Sequence, residues 1–173
     1  MNIQWAWLSG SGYWLGRLLL ERGIAAVYVI AFVAAARQFR ALIGEHGMTP
    51  VPQYVRRRPF RLTPSVFHLH YSDRFFAFVC WLGAGLAAAL VLGAGELVPL
   101  WTVMAIWLLL WGLYLSIVNV GQTWYAFGWE SILLETGLLA VFLGNDRVAP
   151  PVLVMWLARW LLFRIEVGAG LIK

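Results

Sequence analysis

The sequence predicts an all-α membrane protein: a multi-pass bundle of about five spanning helices, with a short interfacial helix in the first connection. Three observations point there. Apolar residues make up 62% of the 173 residues and charged residues only 12%, about half the charge expected of a soluble domain. Apolar runs recur that reach the roughly 20 residues needed to cross a bilayer. The 17 glycines and 11 tryptophans suit spanning helices, where glycine is tolerated and tryptophan collects at both interfaces.

In chain order, Trp5, Trp7, Tyr13 and Trp14 read as interfacial anchors rather than as part of a signal peptide, since a basic start and a clean apolar stretch are both missing. The first span runs from about Leu15 to Ala36, uninterrupted after Ile24 but carrying Arg17, Glu21 and Arg22 before it. A long connection, 37–74, holds four prolines, three histidines and the basic run Arg56-Arg57-Arg58. Within it, Thr63-Pro64-Ser65-Val66-Phe67 has a capping residue followed by proline at a first helical position, which predicts the interfacial helix. Ser72 and Asp73 supply a cap and a favourable charge for the second span, Phe75 to Gly95, which contains no charge. Gly93, Gly95 and Glu96 punctuate the turn into the third, Leu97 to Val118. The fourth spans about Trp124 to Leu143, and GNDRVAPP separates it from the fifth, Pro151 to Ile172. Prolines there suit a helix start. The whole chain reads as one transmembrane domain.

The net charge of +5 is concentrated in the long connection, which suits anionic headgroups better than nucleic acid. Cys80 is the single cysteine and lies in an apolar run, where it packs as a small hydrophobe.

Ionisable side chains inside spans are costly and generally face the bundle interior. With Arg147 as the centre of the last turn, Glu135 and Arg159 each lie 12 residues away, and Glu130 and Arg164 each lie 17 away. This register predicts the pairs Glu135–Arg159 and Glu130–Arg164. A five-residue step turns a helix by about 140°, so at most one pair is direct. The remaining charges turn to Arg17, Glu21 and Arg22, or snorkel to headgroups. The network is either structural or substrate-facing.

The polar cluster Asn119-Val120-Gly121-Gln122 closes the third span and opens the fourth. Its amides either satisfy backbone groups at two helix ends or form a ligand-facing turn. Gly83, Ala87, Ala89 and Gly93 follow small-xxx-small spacing, and Gly121 and Gly128 lie seven apart, which suits close helix packing. His68 and His70, two residues apart beside Asp73, share a face on a strand but not on a helix, so no metal site is expected. No cofactor motif and no catalytic set stand out either.

Three segments carry a resemblance: YWLGRLLLERGIAAVYVIAFVAAARQFRALIGEHGM from Tyr13, WGLYLSIVNVGQTWYAFGWESILLETGLLAVFL from Trp111, and WLARWLLFRIEVGAGLIK from Trp156. Together they resemble the lipase maturation factors, in order and rough spacing. The second segment includes the polar turn Asn119, Gly121, Gln122, Gly128 and Trp129. That family is similar in turn to a wider class of transmembrane domains that includes the membrane part of vitamin K-dependent carboxylase. The resemblance implies a multi-pass protein, in eukaryotes of the endoplasmic reticulum, that helps dimeric lipases fold and assemble. It also implies a longer protein, so the chain reads as a piece ending before a C-terminal region. The Ala/Arg/Leu/Trp-rich composition favours a bacterial inner membrane.

Seven arginines in the 37–74 connection place it in the cytoplasm by the positive-inside rule. The resemblance implies the opposite orientation. On function, the expected reading is a membrane-embedded maturation factor with lipid and a client protein, such as a lipase, as partners. The alternative is an enzyme or carrier acting on a lipid-like substrate through Glu130, Glu135, Arg159 or Arg164. A transporter ranks last, because no inverted repeat is seen.

Overall fold

The computed structural model describes residues 14–145, 147–149 and 151–171. Trp5, Trp7 and Tyr13 therefore lie outside the described residues. The fold is all-α. Among the described residues seven helices follow in order: α1 (Trp14–Leu42), α2 (Val51–Arg57), α3 (Asp73–Val91), α4 (Ala94–Leu97), α5 (Leu100–Val120), α6 (Gly128–Ala140) and α7 (Val152–Leu171). Short 3₁₀ turns occupy Val66–His68 and Gln122–Tyr125.

Among the described residues three helices, α1, α3 and α5, are long and apolar enough to cross a membrane. Of the five expected spans, three meet this measure of length and composition, and the other two fall outside it for two physical reasons. The fourth run is helical for only 13 residues, about 20 Å of rise. The fifth, α7, has the length, at 20 residues, but carries Arg159, Arg164 and Glu166.

α1 is the scaffold. At 29 residues it rises about 43 Å, longer than the roughly 30 Å hydrocarbon layer. Its buried residues Ala25, Tyr28, Phe32, Ala35 and Phe39 recur at helical spacing. Phe32 and Phe39 meet α3 at Gly83 and Phe76, and α3 is the helix against which α1 packs most extensively. Gly83 makes that approach possible: a Cβ there would sit 2.5 Å from the Phe32 ring.

The centre is aromatic. Tyr28 meets Tyr114 edge-on with ring centroids 5.6 Å apart, Phe32 meets Tyr114 at 5.4 Å, and Tyr28 meets Trp107 at 6.1 Å. Edge-to-face rings at such distances attract one another. The four side chains are essentially inaccessible and bind α1 to α5.

The 43–72 connection folds back as a cap over one end of the bundle. Phe67 stacks on Phe76 at 4.8 Å, and Phe76 stacks on Phe39 at 4.5 Å. Ser72 caps α3 by accepting from the Phe75 amide at 3.1 Å, as its residue type predicts. The Glu45 amide donates to Asp73 Oδ1 at 2.9 Å. The Tyr71 hydroxyl donates to the Ile43 carbonyl at 3.2 Å. Burial, reinforced by Asp73, holds that phenol well above its usual range, so it stays a donor. The interfacial helix expected after Thr63 is a single 3₁₀ turn, and its cap is Ser65, which accepts from the Phe67 amide at 3.2 Å. A helix the sequence reading did not anticipate, α2, starts after Pro50 with Pro52 in its first turn.

Gly83→Ala is expected to lower stability in detergent by about 1–3 kcal/mol, because the buried Phe32 ring cannot yield. Gly85→Ala, where a Cβ would meet nothing within 4 Å, is expected to be neutral or stabilising by up to about 1 kcal/mol. Thermal midpoints of the two variants in one detergent check this.

Candidate functional site

Four polar constellations lie within or against the bundle. The first is built by α1. Arg17, buried, donates from Nη1 to the backbone carbonyl of Asn145 and to that of Val148 at 2.7 Å. Five residues on, Arg22 donates to the Leu90 carbonyl at 3.1 Å and to the Val91 carbonyl, and pairs with Glu96 at 2.7 Å. Those carbonyls end α3 or lie in the turn between α6 and α7; Leu90 and Asn145 also accept from the Gly93 and Val148 amides, while such helix ends leave carbonyls that need further donors. A guanidinium, with five donors in a fixed fork, can serve several at once. Gly93 takes a positive φ of 99° at the end of α3, and a Cβ there would crowd Arg22 Nη2 at 3.0 Å. Glycine alone meets both demands.

The second constellation is the polar turn. Asn119 Nδ2 donates to the Pro64 carbonyl at 2.7 Å, and Gln122 Nε2 to the Thr49 carbonyl at 2.9 Å. Trp124 Nε1 donates to Thr49 Oγ1 at 3.0 Å. Ser65 Oγ donates to the Ser116 carbonyl at 3.0 Å, while the Val66 amide donates to Ser116 Oγ at 3.2 Å. The turn thus clamps the 43–72 cap to the end of α5. Gln122 has a positive φ of 54°, and Gly121 is required because a Cβ would lie 2.4 Å from the Tyr125 ring. That ring closes the 3₁₀ turn and delays the start of α6 to Gly128, rather than the Trp124 expected. A Cβ at Gly128 would meet nothing within 4 Å, so close packing does not explain that glycine.

The third is centred on Glu130, which is only 8% exposed. The Tyr114 hydroxyl donates to its Oε2, and Trp129 Nε1 donates to its Oε1 at 3.1 Å. Beside it the Tyr28 hydroxyl donates to the Leu133 carbonyl at 3.3 Å and rests on Gly137, where a Cβ would lie 1.9 Å away. Glu130 also lines a groove of about 490 Å³ between α1 and the 124–133 segment, together with Gln38, Trp124, Phe127 and Trp129.

The fourth is the ion pair of Glu135 with Arg164, both about half exposed. This corrects the expected register. Glu135 meets Arg164, and Glu130 turns to Tyr114 of α5. The reason is angular: two acids five residues apart on one helix cannot address the same neighbour. Glu130 takes the inward direction and Glu135 the outward one. The Arg159 guanidinium lies over the Trp156 ring, 5.4 Å from its centroid. His68 Nε2 lies 3.2 Å from the Arg58 carbonyl and His70 packs on Phe75. Among the described residues no group of three His, Cys, Asp or Glu side chains could hold a metal.

Arg17 and Arg22 were visible in the sequence as charges, but their backbone acceptors were not. Their position five residues apart near the start of a span was the available signal.

Comparison with known proteins fits this framework. Residues 15–173 match the family model described as the lipase maturation factor transmembrane domain. The chain belongs to the lipase maturation factor family. It is 42% identical to lipase maturation factor 1 of Bos taurus over 96% of this chain and 32% of that protein. It is 38% identical to lipase maturation factor 1 of Homo sapiens, over 93% of this chain and 31% of that protein. With human lipase maturation factor 2 the identity is 36%, over 94% of this chain and 26% of that protein. The chain therefore spans about a third or less of the length of these relatives. No solved structure shows a significant match.

The observed register makes a charge-swap prediction. Glu135→Arg is expected to loosen α7, and adding Arg164→Glu to restore the original melting temperature, with a total effect of about 1 kcal/mol or less for so exposed a pair. Adding Arg159→Glu instead is expected to restore nothing. Thermal melts of the three variants decide between the registers.

Proposed function

We propose that this chain is the membrane-embedded part of a maturation factor that assists folding and assembly of a lipase client, without chemistry or a cofactor of its own. The observation that carries the reading is the match of residues 15–173 to the lipase maturation factor transmembrane domain, with 42% identity to the bovine factor. The polar constellations support a scaffolding role. Arg17, Arg22, Asn119 and Gln122 spend their donors on the protein's own backbone. Glu135 and Arg164 neutralise each other. In this reading Glu130, Glu135, Arg159 and Arg164 are structural, and the membrane region presents the cap and the rest of the factor to the client.

The relatives named are vertebrate proteins, and none supports the bacterial inner membrane that composition favoured. We place the chain in the endoplasmic reticulum if its host is eukaryotic.

A fusion tests the reading. Residues 15–173 replace the corresponding region of the bovine factor in cells that lack their own, and active secreted lipase is measured. Activity is expected to return. Asn119→Ala with Gln122→Ala, which unclamps the cap, is expected to lower it severalfold. A fusion that reaches the membrane at normal levels yet yields only inactive lipase contradicts the proposal.

A further inference from the structure

The buried acid at the head of α6 has an environment that the scaffolding role does not use. The ion pairs formed among the described residues, Arg22–Glu96 and Glu135–Arg164, leave Glu130 aside. Its two donors, the Tyr114 hydroxyl and the Trp129 indole, are both neutral. A carboxyl group this buried is normally answered by a cation.

The groove beside it is shaped for one. At the polar end stand Glu130, the Gln38 amide and the aromatic side chains of Trp124, Phe127 and Trp129. Phe127 and Trp129 stack with centroids 4.7 Å apart, and both are substantially exposed. Aromatic faces around a carboxylate are the chemistry that receives an ammonium group. A primary ammonium has three donors, and the Glu130 carboxyl and the Gln38 amide line the same groove.

The other end is apolar. A second groove of about 390 Å³ is lined by Leu19, Leu20, Ile24 and Ile132, and it shares Val27, Trp129 and Leu133 with the first. The two form one trough along α1 and α6. On α1 the trough runs from Gln38 to Leu19, about 28 Å of helix, longer than the roughly 15 Å that one leaflet of hydrocarbon occupies. It opens sideways, since Val27 and Ile30 on its α1 wall are exposed. The polar end lies beside the 43–72 cap, because Trp124 is bonded to Thr49. The cap follows the C-terminal end of α1, and Glu130 lies inward of it, bonded to Tyr114 beside Phe32.

We propose that this trough binds a phospholipid with a primary ammonium headgroup, the ammonium on Glu130 and one acyl chain along Val27 and Leu133. Charge complementarity and the apolar continuation inward select such a lipid over an anionic one. They also select it over a basic peptide, which would have to bring unpaired backbone groups into hydrocarbon.

The test is native mass spectrometry of the full chain in detergent supplemented with equal amounts of phosphatidylethanolamine and phosphatidylglycerol. Phosphatidylethanolamine is expected to be retained at least about tenfold over phosphatidylglycerol, a difference of about 1.4 kcal/mol. Glu130→Gln is expected to abolish that preference. Val27→Trp, which fills the middle of the trough and leaves the Glu130 hydrogen bonds in place, is expected to lower retention of phosphatidylethanolamine about tenfold. Equal retention of the two lipids by the unaltered protein overturns the proposal. So does unchanged retention by Val27→Trp, which decides the matter even where Glu130→Gln fails to fold. A photoreactive group at Ile30 that captures protein rather than lipid in native membranes also overturns it.

Discussion

Backbone carbonyls shielded from water must find donors within the protein, and here two arginines of one helix add theirs at two turns. Arg17 serves Asn145 and Val148, and Arg22 serves Leu90 and Val91. The end of α3 and the turn between α6 and α7 are thereby tied to the first turns of α1. This accounts for Arg17 and Arg22 at the head of a helix that carries no charge from Ile24 to Ala36. It also fixes which way round the bundle is assembled at that end, because each guanidinium has its own set of acceptors. Arg22 adds Glu96 to its set, so its charge is neutralised as well as bonded.

At the opposite end the same problem is solved with neutral groups. Asn119, Gln122, Trp124 and Ser65 connect the cap to α5 and the turn that follows it. Between the two polar ends lies the aromatic centre of Tyr28, Phe32, Trp107 and Tyr114, fitted against glycines on α3 and α6. Polar closure at both ends and close aromatic packing between them make a rigid frame. The Glu135–Arg164 pair contributes less, since both side chains remain half exposed.

The apolar runs made α3 and α5 legible within a few residues, because a stretch with no charge and a capping Ser72 leaves little choice. α1 continues six residues past Ala36 to Leu42, since Phe39 still faces the core while Arg37, Gln38 and Arg40 point outward. The start of α6 was misplaced because a tyrosine ring folding onto Gly121 leaves no periodic signature. α2 was missed because Pro50 and Pro52 read as loop residues, although proline also favours a first helical turn. In the site, counting acids against bases gave the wrong partners. Arg17 and Arg22 bond mainly to carbonyls, and Glu130 bonds to a phenol and an indole, none of which a charge count registers. The clamp role of Asn119 and Gln122 was closer to hand, since amides at a junction of two helices commonly satisfy leftover backbone groups.

The most direct test of the arginine tie is hydrogen–deuterium exchange of the full chain in lipid nanodiscs, comparing the unaltered protein with Arg17→Met. The tie predicts faster exchange confined to the turn between α6 and α7 and the start of α7, with the 43–72 cap unchanged. Exchange in that turn that stays as slow as in the unaltered protein, or that first rises in the cap, contradicts it.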